Sequence, residues 1–433
     1  MTIPQTAFLR MSLDRRDSAK LARPVELICF ALVVAHAVYL ATSYVQGIWI
    51  VTPNGGGDAS DFVNVWAAGK LAFSGHAAAV YDWPTHKLAE ESAVGHPFDG
   101  YYGWHYPPTF LFAAVGLSLL PYATAYALWV FGTFPAYLAA IRAIIGSRVG
   151  YLLAAAFPPV LANFVVGQNG FVTAGLIGGA LVLLERRPIA AGILLGLLTY
   201  KPHLGLLFPI ALVAGGYWRA FVTAGVVAVL MAASSWLAFG SECWLAFFAS
   251  IHHTSEAFLS EGWADWSKLQ TAFGLTRTLG GSETLAWTMQ AITALTAAGA
   301  TAWLWRSRIS YDLRAAALGI ATLLATPYLY TYDLVVLAVP LAFLIRRGGE
   351  HGFLTHEDAG IGLACFLLLI FPFVKAPVGF AAVLVVAVMI LRRILSEGHG
   401  TRQFFFASRA PQPKLPEDSH FSDSRLEVPA VPE

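Results

Sequence analysis

Apolar residues in this chain come in long runs, not in the alternation of a half-buried strand or the single stripe of a soluble amphipathic helix. Such runs predict helices that satisfy their own backbone polar groups inside lipid, and nothing reads as a barrel. The predicted spans are approximately 27–50, 122–142, 149–166, 170–185, 188–200, 204–217, 218–239, 284–305, 313–327, 330–346, 358–374 and 376–392. Crossing a hydrocarbon slab about 30 Å thick takes about 20 residues, so the short runs on either side of TYKPHLG (199–205) predict broken or tilted helices. One further apolar segment, Pro108 to Leu120, is too short to span and is expected to lie along the interface, with Pro107–Pro108 suited to starting it. Two long connections remain, about 52–121 and 240–283, both rich in Trp, Tyr, His and acidic residues. The expected fold class is an all-α polytopic membrane protein with about 12 transmembrane helices and a helical loop lying on the membrane.

Charge gives these spans a direction. With the N-terminus in the cytoplasm, only Lys70, Lys87, Lys201, Lys268, Arg277 and Lys375 of the 27 Lys and Arg fall on the other side, which leaves 27 − 6 = 21 inside. That bias predicts the orientation by the positive-inside rule, with both termini cytoplasmic; the membrane is expected to be the plasma membrane. The basic N-terminal stretch, 1–26, precedes a long apolar run without a small-residue cleavage site, so it is expected to stay attached to a first span. Residues 27–395 form the membrane domain, and the Pro-rich charged tail from 396 to 433 is expected to be disordered.

Composition agrees with this reading. The chain is 57% hydrophobic and only 12% charged, whereas soluble domains carry about 25% charged residues; its mean hydropathy is +0.62. A net charge of +1 gives no reason to expect nucleic acid as a partner. Cys29, Cys243 and Cys365 are isolated and form neither a disulfide framework nor a metal site.

The chemistry gathers at the non-cytoplasmic ends of the spans. GGGDASDFVNVWAAGK, from Gly55 to Lys70, puts Asp58 and Asp61 three residues apart at a helix start, where they suit either capping or general-base work. YYGWHYPPTF (101–110) surrounds His105 with aromatics that fit an interfacial belt or a sugar platform. GQNG (167–170) interrupts an apolar stretch with Gln168 and Asn169, and Lys201 and His203 sit at a proline break. Lys201 either snorkels or meets a lipid phosphate. In TPYLYTYDL (326–334), Tyr332 and Asp333 reach the same surface, although Asp333 also suits a helix cap. His252, His253, Glu256, Glu261, Asp265 and Trp266 crowd the second long connection without a metal-ligand pattern. No Walker, GxGxxG, GxSxG or HExxH motif is present, so no nucleotide substrate is expected.

In order and spacing, GGDASDFVNVWAAGKLAFSGHAAAVYD, HYPPTFLFAAVGLSLLP, GQNGFVTAGLIGGALVLLERRPIAAGILLGLLTYKPHLGLLFPI and YDLVVLAVPLAFL resemble glycosyltransferase family 87, over roughly residues 25 to 395. The family includes polyprenyl-phosphate-mannose-dependent α-mannosyltransferases of bacterial envelopes. The resemblance implies a GT-C fold and an inverting, metal-free transfer of a hexose from a polyprenyl-phosphate donor to a lipid or glycan acceptor, with no cofactor. It implies an acidic base in the first outer loop, Asp61 in the DF pair before WAAG, with Asp58 as second choice. Lys201, helped by His203, would then neutralise the leaving phosphate; Gln168, Asn169 and Tyr332 would orient sugar or acceptor, beside Asp333; and His105 would bind phosphate or sugar. A lipid or solute transporter and a non-catalytic polysaccharide-assembly protein are the alternatives.

Overall fold

The structure, a computed structural model, describes residues 22–263 and 265–407. These residues are helical apart from their connections, and β-pairing is limited to isolated bridges from Val51 to Trp49 and Gly57. Residues up to Ile394 group as one compact unit and those from Leu395 as another. The helix that begins at Val378 runs to Ala407, so the expected tail begins as helix; residues 408–433 and the basic stretch 1–21 lie outside the described residues.

Among the described residues, four helices are long and apolar enough to cross a membrane: Arg23–Val45, Tyr122–Ile145, Trp218–Ser260 and Val378–Glu397. The pair Val149–Ala155 and Pro159–Val166, bent by 60°, makes a fifth if counted as one span. Other expected spans are shorter, such as Gly170–Leu183 and Pro188–Leu197, and length and apolarity alone do not carry the count to twelve. The segment expected at the interface forms a turn, Pro108–Phe110, and a short helix, Leu111–Ser118.

What the long helices turn inward identifies their solvent. Arg23–Val45 buries Cys29, His36 and Ser43 while Leu27 and Phe30 are each 61% exposed. Trp218–Ser255 buries Ala220, Ser235, Cys243 and Ser250 while Leu237 is 79% exposed. Large aliphatic faces outward and small or polar residues inward are costly in water and natural in lipid, where helices associate by close packing. This is a membrane protein.

Small residues set that packing. In helix Pro188–Leu197, a Cβ on Gly192 would lie 2.6 Å from the Ala220 carbonyl oxygen, and one on Gly196 would lie 2.5 Å from Val227 Cβ. This G-x-x-x-G face lets helix Trp218–Ser255 approach at backbone distance. At Gly240 the long helix leaves helical geometry (φ 81°, ψ 167°), which is where its apolar span was expected to end. In the first long connection, helix Phe62–Phe73 is drawn onto Leu111–Ser118 through Gly69, whose Cβ would collide with the Ala114 carbonyl at 2.0 Å. That contact fixes the helix that begins just after Asp61.

Gly196→Leu forces two backbones apart and is expected to cost about 1–3 kcal/mol or more, seen as a lower melting temperature of the detergent-purified protein. Gly225→Leu, on the facing helix Trp218–Ser255 but with open space at its Cβ, is expected to melt like the wild type.

Candidate active site

The turn at 167–170 works because of its two glycines. Gly167 ends helix Pro159–Val166 in the left-handed conformation (φ 69°), and a Cβ there would meet Phe62 Cβ at 2.6 Å. Gly170 opens helix Gly170–Leu183; its N–H donates to Asn163 Oδ1 (3.0 Å), and Asn163 Nδ2 donates to the Tyr332 carbonyl (2.8 Å). Between them Gln168 and Asn169 are buried, on a backbone clamped to both the first connection and the Tyr332 turn.

From these two amides a single line of hydrogen bonds runs in one direction. Lys201 Nζ donates to Asn169 Oδ1 (2.9 Å), Asn169 Nδ2 to Tyr106 Oη (2.7 Å), Tyr106 Oη to Gln168 Oε1 (3.1 Å), and Gln168 Nε2 to Asp61 Oδ2 (3.0 Å). The chain starts at an ammonium and ends at a carboxylate, with every donor pointing the same way, an arrangement in which each bond polarises the next. Asp61 is therefore not used as a helix cap: helix Phe62–Phe73 follows it, yet its side chain makes no capping bond. Burial raises the Asp61 carboxyl above the ordinary Asp range, and the Gln168 donor and the charges of Lys268 and Lys201 pull it back.

Lys201 is 4% exposed and Asp333 1% exposed, and they pair at 2.5 Å. Lys201 also lies 5.4 Å from the centre of the Tyr332 ring. Asp333 serves two ends at once, since its other oxygen accepts from the Tyr330 N–H (3.3 Å) and so caps the turn Thr331–Leu337. The cap expected of Asp333 is thus present, and the same side chain also pairs with Lys201.

Of the residues singled out in the sequence, Asp61, Gln168, Asn169, Lys201, Tyr332 and Asp333 come together. Asp58, His105 and His203 stand outside the relay. No hydrogen bond reaches the Asp58 carboxyl among the described residues; its carbonyl accepts from Tyr122 Oη (2.7 Å), and its carboxyl is coupled electrostatically to His96. His105 hydrogen-bonds Thr254 Oγ1 (3.1 Å) and packs edge-on against Phe258 (5.0 Å), so it joins the two long connections. His203 has a buried Nε2 without a hydrogen-bond partner.

Two participants were not singled out. Tyr106, the middle of the relay, hid in an aromatic stretch that reads as an interfacial belt, and only its place beside His105 hinted at it. Lys268, exposed on the turn Trp266–Lys268, acts on Asp61 more strongly than Lys201 does. Its turn is anchored by Gln270, whose N–H donates to the Leu329 carbonyl (2.7 Å) and whose Oε1 accepts from Gly379 N (2.7 Å). Spacing gave no signal for either role.

A buried pair was also missed. On helix Trp83–Val94, His86 and Glu90 are fully buried, with Nε2 3.6 Å from Oε1. Burial lifts Glu90 to about 8 and lowers His86 to about 3, so at neutral pH both are uncharged and this is no ion pair.

Removing one member of the buried Lys201–Asp333 pair strands a charge, at a cost of about 3–5 kcal/mol. Lys201→Met is expected to melt far below the wild type, and Lys201→Met with Asp333→Asn to recover much of the loss, by thermal unfolding in detergent. For Glu90 the folded state holds a proton that the unfolded chain releases, so stability falls as pH rises from the ordinary Glu range through about 8. His86 is neutral when folded and protonated when unfolded, so its contribution rises from about pH 3 to the ordinary His range. Melting temperature against pH is expected to decline above neutrality, and Glu90→Gln to flatten that decline.

The family model of glycosyltransferase family 87 matches residues 104–327. No curated protein and no solved structure matches the chain. The matched stretch holds Tyr106, Gln168, Asn169 and Lys201, four of the five members of the relay, and lies between Asp61 on one side and Asp333 on the other. The match takes in 327 − 103 = 224 of 433 residues, just over half the chain, and with its lipid-facing helices this membrane protein belongs to glycosyltransferase family 87.

Proposed function

We propose that this glycosyltransferase moves a hexose, mannose by the leaning of its family, from a polyprenyl-phosphate carrier to a lipid or glycan acceptor of the cell envelope. The reaction takes place at the outer face of the plasma membrane, inverts the anomeric centre and uses Asp61 as general base. The observation that carries the reading is the relay, because an acid that must accept a proton and a cation near a departing phosphate are what such a transfer requires. Membership of a glycosyltransferase family favours catalysis over the transporter and scaffold alternatives.

In the proposed step the acceptor oxygen bonds to C1 of the sugar as the bond from C1 to the phosphate oxygen breaks. The acceptor's proton passes to Asp61, and the polyprenyl phosphate leaves with the electron pair. Asp61 suits the task because burial lifts it toward the working pH while the Gln168 donor keeps its carboxylate form populated. Gln168, Asn169 and Tyr332 would orient the sugar.

Lys201 is matched at 2.5 Å by Asp333 and spends another proton on Asn169, so its charge is largely balanced within the protein. Lys268 is exposed, makes no ion pair among the described residues and acts on the same carboxyl. In this reading Lys201 holds the amides in position, and Lys268 supplies the uncompensated positive charge to the phosphate.

The test is transfer from a radiolabelled polyprenyl-phosphate hexose by purified protein in lipid, with membrane extract as acceptor. Asp61→Asn is expected to lower kcat by about 100-fold or more, within the range for a lost general base, and Asp58→Asn to lose far less. Equal transfer by wild type and Asp61→Asn overturns the assignment. Activity requires ionised Asp61, so it declines on acidification through the raised Asp61 pKa. Gln168→Leu removes a donor to that carboxylate and is expected to move the acid limb of the rate profile upward by about 1–2 pH units, the worth of one such bond. Lys268→Ala is expected to raise the KM for donor with melting temperature unchanged.

A further inference from the structure

A cavity of about 370 Å³ opens between the two long connections, within the size range of clefts that hold small ligands, about 300–1,000 Å³. Tyr81 and Trp83 line it from the first connection, and His253, Glu256, Glu261 and Trp263 from the second. We propose that this cavity is the acceptor site, and that it takes a neutral sugar ring of a glycan, stacked on Trp83 and Trp263 with its hydroxyls donating to Glu256 and Glu261. The inference rests on the transferase reading above and narrows its acceptor to a carbohydrate.

The aromatic walls are built for a ring with one apolar face. Trp83 is backed by Tyr101 (centroids 5.1 Å apart) and meets Trp263 at 5.3 Å and 65°, so the two indoles form a corner. Trp263 is 63% exposed, with its outer face unpaired. The C–H face of a pyranose fits such a surface while its hydroxyls seek acceptors.

Those acceptors are present. Helix Trp218–Ser255 ends in a single wide turn, Glu256–Ser260, closed by the Glu261 N–H donating to the Glu256 carbonyl (2.9 Å). One extra residue per turn brings Glu256 and Glu261 round to the same side, and such insertions recur at functional sites. Glu261 makes no hydrogen bond or ion pair through its carboxylate among the described residues, and Glu256 has only a distant His252 at 3.9 Å. Carboxylates accept well from hydroxyls and repel a phosphate, so the lining fits a neutral acceptor and discriminates against the anionic donor.

The cavity also adjoins the relay. Tyr81 lines it and donates through Oη to the Tyr106 carbonyl (2.8 Å), while the Tyr106 hydroxyl links Asn169 to Gln168. His105 ties the same stretch to Thr254, immediately before the wide turn. The Trp corner is thus linked to Asp61 through Tyr81, Tyr106 and Gln168.

The test uses the full chain in nanodiscs and mannotriose as probe, with binding read by tryptophan fluorescence and by saturation-transfer NMR. Wild type and Asp61→Asn are expected to bind mannotriose alike. Trp263→Ala is expected to weaken binding about tenfold, the loss of one stacking contact, and Glu261→Gln to weaken it less. In the transfer assay Trp263→Ala raises the KM for acceptor and leaves the KM for donor alone. Both residues are exposed, so neither substitution threatens folding. The proposal is overturned if wild type shows no binding of mannotriose or maltotriose, if Trp263→Ala binds as tightly as wild type, or if Trp263→Ala raises the donor KM instead. Loss of the Asp61 assignment with Trp263-dependent binding intact would sink the base and leave the cavity standing, so the two failures are distinguishable.

Discussion

The relay from Lys201 to Asp61 has a direction, and the site depends on that direction. An ammonium can only donate and a carboxylate can only accept. Once both ends are fixed, each amide and the Tyr106 hydroxyl between them has one satisfying orientation. Turning any one around leaves a donor facing a donor in a largely buried setting, at about 1–3 kcal/mol for each unsatisfied group. Five side chains from four separate segments are thereby held in one arrangement by this line of hydrogen bonds. Asp333 adds a further constraint, because its carboxylate meets the Lys201 ammonium at contact distance.

The backbone around these groups serves the same end. Gly167 and Gly170 let the turn between two helices press against Phe62 and the Tyr332 carbonyl, and Gly69 lets the helix after Asp61 settle on the segment after Tyr106. A side chain at any of the three would move one end of the relay relative to the other. Polar residues at helix breaks are costly in an apolar protein, and irregular backbone there is tolerated only against protein or a watery cavity. The breaks at 167–170 and 199–202 face each other across the relay, so each supplies the polar partner that the other requires.

Much of this was legible in the sequence, and what was not has a physical reason. Apolar runs are local, so the first and last helices begin within a few residues of where they were expected, at Arg23 and Val378. Glycines, prolines and amides breaking an apolar run are also local signals, which is why Gln168, Asn169 and Lys201 stood out. Pairing is not local. Lys201 meets Asp333 across 132 positions, and no spacing rule reaches so far; the reading from sequence gave Lys201 a lipid phosphate as partner and Asp333 a cap. Tyr106 was hidden because one aromatic in a belt looks like another until its hydroxyl has a partner. Asp58 and Asp61 could not be told apart by type or spacing, and what separates them is a donor more than a hundred positions away.

Charge then divides the surroundings of the relay in two. On the side of the Trp83 and Trp263 corner the lining carries the carboxylates of Asp82, Glu256 and Glu261 beside His253, and that surface is negative. Near Asp61 the uncommitted charge is the cation of Lys268. Within a Debye length of about 8 Å at physiological salt a phosphate is drawn to the second and turned away from the first, whereas a neutral glycan is indifferent to charge and is selected by the indole faces. Two substrates that share sugar chemistry but differ by one negative charge would in this way be sorted before either reaches the base. A lipid tail could enter from the bilayer without competing for the loop cavity, since in the proposed reaction only the donor would carry a phosphate for Lys268 to meet.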